Sequence, residues 1–367
     1  MIKIEISDTV KIEIEEFHWK WSFLRFKKKF NGSAIKEIRK LKTALKLRNL
    51  KELKQILIGN IDSIQQIVHS IGKIDKDYSN YDYLIKCFGY DSFKNGNYQD
   101  NVAWNAYELC KKLKVNVCPY CNREYTFTIG NTKEKKLRPE IDHFFPKSEY
   151  PYLSCSLYNM IPSCHICNHG KREFGEGILY PYNNGFDKDV IFRAKYAQEI
   201  PEKTSILDIR NTHIFFKDRQ CDVLETGNCI HNKQTKAHKS IKTFHLEEIY
   251  NEHKIELQDL FTRYRNYSKP KIDEITRLIV DAQLDTKKIE DKSPQKHFKL
   301  TKEQKEELVQ QVASTYTKRI KRTILGLPLG AGEKQYPLRK FKEDIIEQLD
   351  NTAQKMKTEA RNKNISK

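Results

Sequence analysis

The chain has 367 residues, a net charge of +18 and a sequence pI near 9.3, with 38% hydrophobic and 32% charged residues. Its length allows two or three domains with a sizeable core, and its 19 Tyr, 18 Phe and 3 Trp exclude a disordered chain, which would be poor in aromatics. No stretch approaches the roughly 18 apolar residues of a membrane-spanning helix, and the opening Met-Ile-Lys-Ile-Glu-Ile lacks the basic and apolar regions of a secretory signal.

The expectation is a cytoplasmic protein with no membrane partner, whose basic balance makes a polyanion the first partner to consider. Nine cysteines without an export signal argue for metal ligands or reactive thiols rather than a disulfide framework.

Taken in chain order, Ile2, Ile4, Ile6, Val10, Ile12 and Ile14 alternate with polar residues and predict one or two short strands over 2–14. From Trp19 the spacing turns helical, through Ile35, Ile38, Leu41, Leu45, Leu53, Ile56 and Leu57. Residues 20–54 hold 13 Lys/Arg against 2 Asp/Glu, which reads as either a solvated helix face or a surface for phosphates. A helix follows over Ile61 to Ile71, then a Tyr- and Asp-rich piece at 75–100 that reads as loop and linker, then a short helix over 102–113.

Beyond the dense segment 118–171, alternation predicts strands at 189–193, 204–209 and 213–217. Helices are expected from Lys239 to Tyr264, over 301–325 and from Phe341 to Leu349, with a frayed polar tail. A second basic patch, 317–342, carries eight Lys/Arg against one Glu. The fold class expected is α+β and mostly helical.

Two Cys-x-x-Cys pairs carry the strongest signal: Cys118 with Cys121, and Cys164 with Cys167. Each presents two thiolates to one ion, and two pairs complete a closed tetrahedral Zn²⁺ site, structural rather than catalytic. Cys87, Cys110 and Cys155 lack paired spacing and read as packed small hydrophobes. Cys221, Cys229, His231 and His238 match no common ligand pattern.

Between the pairs stand Asp142-His143, then Asn159, with Asn168 directly after the last cysteine and Lys171 three residues later. A carboxylate beside an imidazole, with carboxamides downstream, can surround one divalent cation and one water. His143 suits a general base, because an unperturbed imidazole titrates near physiological pH. Asp142 and Asn168 offer the oxygen ligands that suit Mg²⁺ or Mn²⁺. Lys147 and Arg123 are either surface residues or phosphate contacts, and His165 reads as exposed filler.

In this order and spacing, Cys118–Lys171 resembles the HNH endonuclease family in its zinc-stapled, ββα-metal form. The resemblance covers about 54 of 367 residues, and one position departs from the family name: Asn168 stands where a His is usual, with His169 next to it. It implies a metal-dependent endonuclease in which His143 is the base, Asp142 and Asn168 hold the catalytic ion, and Asn159 braces the loop that positions His143. Lys147 and Lys171 would face nucleic acid, with double-stranded DNA favoured and RNA open. The hairpin would lie within 124–141, broken at Gly130-Asn131, and end at Asp142-His143; the helix would start near Asn168 and be short.

The domains expected are a basic helical region at 1–105, the nuclease module at 106–180, and a mixed, then helical region at 181–367 for partner docking or guiding nucleic acid. The segment Phe244–His253, with Ile324-Leu325-Gly326 and Pro337-Leu338, is similar to C-terminal parts of HNH effectors in bacterial antiphage systems such as Septu and retron-associated systems. That implies an ATPase partner, since no Gly-x-x-x-x-Gly-Lys-Ser/Thr loop occurs in this sequence. The competing class is a non-catalytic zinc module that binds nucleic acid or a protein partner.

Overall fold

A computed structural model describes residues 1–29, 34–95, 103–131, 134–171, 177–187, 189–195, 212–219, 235–267, 319–329 and 335–365, with scattered residues between 270 and 303. The described chain is α+β and mostly helical, with three two-stranded sheets. It divides into two compact units, Met1–Val190 with Asp218–Leu246, and Ile191–Lys217 with Glu247–Lys367. The expected regions 1–105 and 106–180 thus fall in one unit.

In the first unit, α1 (Asp8–Lys29) is followed by α2 (Ala34–Ala44), α3 (Leu50–Ile58), α4 (Ile61–Ile71), α5 (Tyr81–Phe88), α6 (Tyr90–Asn95) and α7 (Ala106–Leu113). Asn49, Asn60 and Asn105 cap α3, α4 and α7, each accepting backbone N–H groups of the first turn. The expected strands over 2–14 are absent. Residues 2–6 are irregular, with Ile2 and Ile4 N–H donating to the Pro119 and Pro181 carbonyls, and α1 begins at Asp8.

The reason lies on the buried face of α1, where Ile14, His18, Trp21 and Arg25 recur at spacings of four, three and four. Two of the four are polar, so hydropathy alternation registers the wrong period. Within the stretch expected as loop, residues 81–95 are helical instead: α5 buries Leu84, Cys87 and Phe88 on one face, and Phe93 of α6 is fully buried.

The strands also depart from expectation. β1 (Ile129–Gly130) and β2 (Lys135–Leu137) form a hairpin of their own. Gly130 turns there with φ +100, where a Cβ would come within 2.1 Å of the Glu134 carbonyl oxygen. β3 (Glu140–His143), which carries Asp142-His143, pairs instead with β4 (Met160–Ser163), antiparallel, with Asp142 opposite Ile161 and His143 opposite Met160. α8 (His165–Lys171) follows β4 at once and lies along β3. It starts three residues before the expected Asn168, and at seven residues it is short as expected. α9 (Lys236–Thr243) joins this unit through the Leu179 N–H to Ser240 Oγ bond, and Phe244 just beyond it stacks on Tyr120.

The second unit takes all but one end residue each of β5 (Val190–Lys195), β6 (His213–Asp218) and α10 (Leu246–Asn251), with β5 and β6 paired, and contains α11 (Lys254–Asn266) and α12 (Arg339–Ile365). Its core gathers Phe192, Phe216, Tyr250 and Phe341. Gln348 satisfies both backbone groups of Ala194, at 2.9 and 2.8 Å, and the Asp344 carboxylate accepts the Phe192 N–H. α12 runs to Ile365, through most of the tail 351–367 expected to fray. The expected strand at 204–209 and most of the expected helix 301–325 lie outside the described residues.

Candidate metal centre and active site

The first cysteine knuckle forms after α7. The Cys118 N–H donates to Glu124, and Asn122 turns back with φ 53 to donate to the Cys118 carbonyl, a left-handed conformation that Asn tolerates. The second knuckle is the junction of β4 and α8, where Cys167 N–H points at Cys164 Sγ, 3.4 Å away. The fold brings the pairs together: all four thiols are buried and their sulfurs lie within 4.8 Å of one another, with Cys121 and Cys164 at 3.9 Å. Four thiolates around zinc at about 2.3 Å stand about 3.8 Å apart, so the cluster fits a metal such as zinc. Cys118, Cys164 and Cys167 hydrogen-bond Cys121 and hold its thiol well below the usual range. Cys87, Cys110 and Cys155 are buried apart from this cluster, as packed side chains.

On β3, alternation sends Glu140 and Asp142 to one face and Ile141 and His143 to the other. Asp142 is buried, and both its oxygens are engaged: Oδ1 by the Lys171 ammonium at 2.9 Å, Oδ2 by the Tyr120 hydroxyl at 2.6 Å. Lys171, expected near a phosphate, is fully buried and also donates to the His143 carbonyl oxygen at 2.6 Å. Burial lowers its pKa from the usual lysine range.

His143 Nε2 lies 2.8 Å from the Ser154 carbonyl oxygen, so the neutral ring donates there and keeps its lone pair on Nδ1. Tyr90 packs edge-on against the imidazole at 4.4 Å. The residue retains some exposure, yet burial of the ring, with Lys147 and Lys171 nearby, pushes its pKa down to about 3. Lys147 is exposed, its ammonium 5.5 Å from the Tyr90 ring centre. Arg123 pairs with Glu124 at 2.9 Å.

Asn159 is fully buried at the end of a 3-10 turn, Leu157–Asn159, just ahead of β4. Its Oδ1 accepts the Phe145 N–H at 2.8 Å, and its Nδ2 donates to the Phe145 and Leu153 carbonyls, both at 3.0 Å. The carboxamide therefore ties both ends of the loop between β3 and β4. That loop also supplies Ser154, the partner of His143.

Asn168 is not brought to Asp142. Its Nδ2 donates to Glu140 Oε2 at 2.6 Å, and the other Glu140 oxygen meets His165 Nδ1 at 2.8 Å. His169 Nε2 stands 3.7 Å from Glu140 Oε2. Sequence reasoning missed Glu140 and passed over His165; the His-x-x-x-His spacing at the helix start was the available signal. Of the second sequence cluster, Cys221, Cys229 and His231 lie outside the described residues.

No protein-family profile matches this chain, and no solved structure matches it. An 86-residue stretch is 34% identical to the protein named Protein ea31 of Escherichia phage lambda, covering 22% of this chain. The stretch spans about a quarter (24%) of that relative's length. Among the described residues, no helix is long and apolar enough to cross a membrane.

Proposed function

We propose that this chain is a metal-dependent endonuclease of the HNH type, hydrolysing phosphodiester bonds of nucleic acid, with double-stranded DNA favoured over RNA. The observation that carries this reading is the His143 imidazole, whose Nε2 is committed to Ser154 while Nδ1 keeps its lone pair at the edge of β3. A water at Nδ1 can lose its proton to the ring as its oxygen bonds to phosphorus and the bond to one ester oxygen breaks. With its pKa near 3, the ring is in the accepting form at neutral pH, though its driving force as a base is small. Asn159 acts as a positioning residue, holding the loop that fixes Ser154 and through it the tautomer of His143.

The four thiolates are assigned a structural Zn²⁺. A catalytic Mg²⁺ or Mn²⁺ would supply positive charge to the phosphate in the transition state. The ligands the HNH resemblance assigns to it, Asp142 and Asn168, do not share a site in this arrangement, since Asp142 holds Lys171 and Asn168 holds Glu140. The +18 charge supports a nucleic-acid partner. The similarity of Phe244–His253 to antiphage effectors supports a role as such an effector in the cytoplasm, working with an ATPase on another chain.

One observation favours a second reading, a non-catalytic zinc module that binds nucleic acid or protein: Lys171 already neutralises Asp142. Plasmid cleavage with Mg²⁺ or Mn²⁺, against EDTA and beside His143→Ala, separates the two. Metal-dependent nicking lost in the variant supports the nuclease. Cutting that survives in His143→Ala removes His143 from the chemistry, and binding without cutting by the wild type favours the module.

A further inference from the structure

We propose that Glu140, His165 and His169 form a second divalent-cation site, for a borderline ion such as Zn²⁺, Co²⁺ or Ni²⁺, separate from the four thiolates and from His143. The two histidines stand four residues apart on α8, so both project from one side of the helix toward β3. This is the spacing by which helical histidine pairs hold zinc. Their rings lie 4.0 Å apart between centres, and the donor atoms of all three residues lie within 4.8 Å of one another.

The separations match a shared ion. Two donors each about 2.1 Å from one metal stand about 3.0 Å apart in octahedral geometry and about 3.4 Å in tetrahedral geometry. The carboxylate-to-imidazole distances are 2.8 Å for His165 and 3.7 Å for His169, on either side of those values. Asn168 also holds the carboxylate, donating at 2.6 Å to Oε2, the oxygen nearest His169, as partners of metal ligands commonly do.

Two imidazoles and one carboxylate select borderline transition ions over Mg²⁺, which prefers oxygen alone. Both rings are about two-thirds exposed, at 70% and 66%, so an ion has an entry path and the remaining coordination positions take water. Glu140 and His143 are three residues apart on β3 and project to opposite faces. An ion held by Glu140 therefore stands on the far side of the strand from the proposed base.

The inference is read by counting metal with no nucleic acid present, so it stands or falls apart from the nuclease reading. The full chain, reconstituted with a single equivalent of zinc for the four thiolates, is dialysed against Ni²⁺ and its bound metals are measured by mass spectrometry. The wild type is expected to take up nickel in addition to its zinc. His165→Ala/His169→Ala should keep the zinc and lose the nickel, and His169→Ala alone should weaken nickel binding by at least about tenfold. Should the double variant lose zinc as well, the single variant decides. A wild type that binds no nickel beside its zinc, or undiminished nickel binding in His169→Ala, overturns the site and leaves only a hydrogen-bonded surface cluster.

Discussion

The Lys171 ammonium and the Asp142 carboxylate are 2.9 Å apart, and both side chains are withdrawn from water. Tyr120 and the His143 carbonyl complete the shell around the pair. The arrangement links the first cysteine knuckle, β3 and α8 through one buried charge pair. Such pairs contribute little compared with an apolar filling, but breaking one side is costly.

Lys171→Met is therefore expected to destabilise the first unit by about 3–5 kcal/mol, because it strands a buried carboxylate. Denaturant unfolding checks this, with Lys171→Met/Asp142→Leu as the paired variant that should recover a large part of the loss. A loss below about 1 kcal/mol in Lys171→Met would show that water reaches Asp142 and that the pair is not closed.

Replacing Cys118 or Cys164 by Ser should release the metal and unfold the β3–β4–α8 segment together, since binding to a four-thiolate site is largely folding free energy. Metal content and near-ultraviolet circular dichroism measure the two losses. A variant that stays folded with its metal in place would exclude the four-cysteine assignment.

Asn159 distinguishes a positioning role from simple packing. Asn159→Ala removes the three hydrogen bonds to Phe145 and Leu153 and should cost about 2–4 kcal/mol. Asn159→Asp should be worse, because a carboxylate would face the two carbonyls that now receive the amide. Equal stability of the two variants in thermal unfolding would argue against the observed orientation of the carboxamide.

His18 sets an acid limit on stability. Its Nδ1 accepts the Trp104 indole N–H at 3.0 Å, and its Nε2 faces the Cys155 carbonyl at 2.8 Å. Burial pushes its pKa down to about 4, against about 6.5 in the unfolded chain. Between those values the unfolded state binds the extra proton, so stability is full above about pH 6.5 and falls toward pH 4. The loss from this residue is about 3 kcal/mol. His143 shifts the same way, so the measurement is the difference between wild-type and His18→Gln stability curves across pH 4–7. Parallel curves would contradict the buried neutral assignment.

The legible parts of the sequence were those governed by local chemistry. Cys-x-x-Cys spacing identified four side chains that the fold brings together, and the apolar periodicity of α4 and the short α7 was readable. What escaped depended on distant partners. The strand partner of β3 is set by residues 160–163, beyond a loop whose shape Asn159 dictates from inside. A fully buried lysine cannot be told from a surface one in a single sequence, because its burial depends on the carboxylate that meets it. The same holds for α1, whose inward stripe includes His18 and Arg25, residues that hydropathy counts as outward.

The module that holds the cysteines has no seam of its own. Tyr158 donates its hydroxyl to Glu15, His18 meets the Cys155 carbonyl, the Ile74 N–H donates to Glu149, and the Ile2 N–H donates to Pro119. The first 74 residues thus serve as the wall on which the loop between β3 and β4 is cast. A fragment cut at residue 106 would lose that wall and, with it, the mould for Ser154 and Asn159. Recombination that moved this segment into another protein would have to carry the amino-terminal helices along with it to keep the loop's shape.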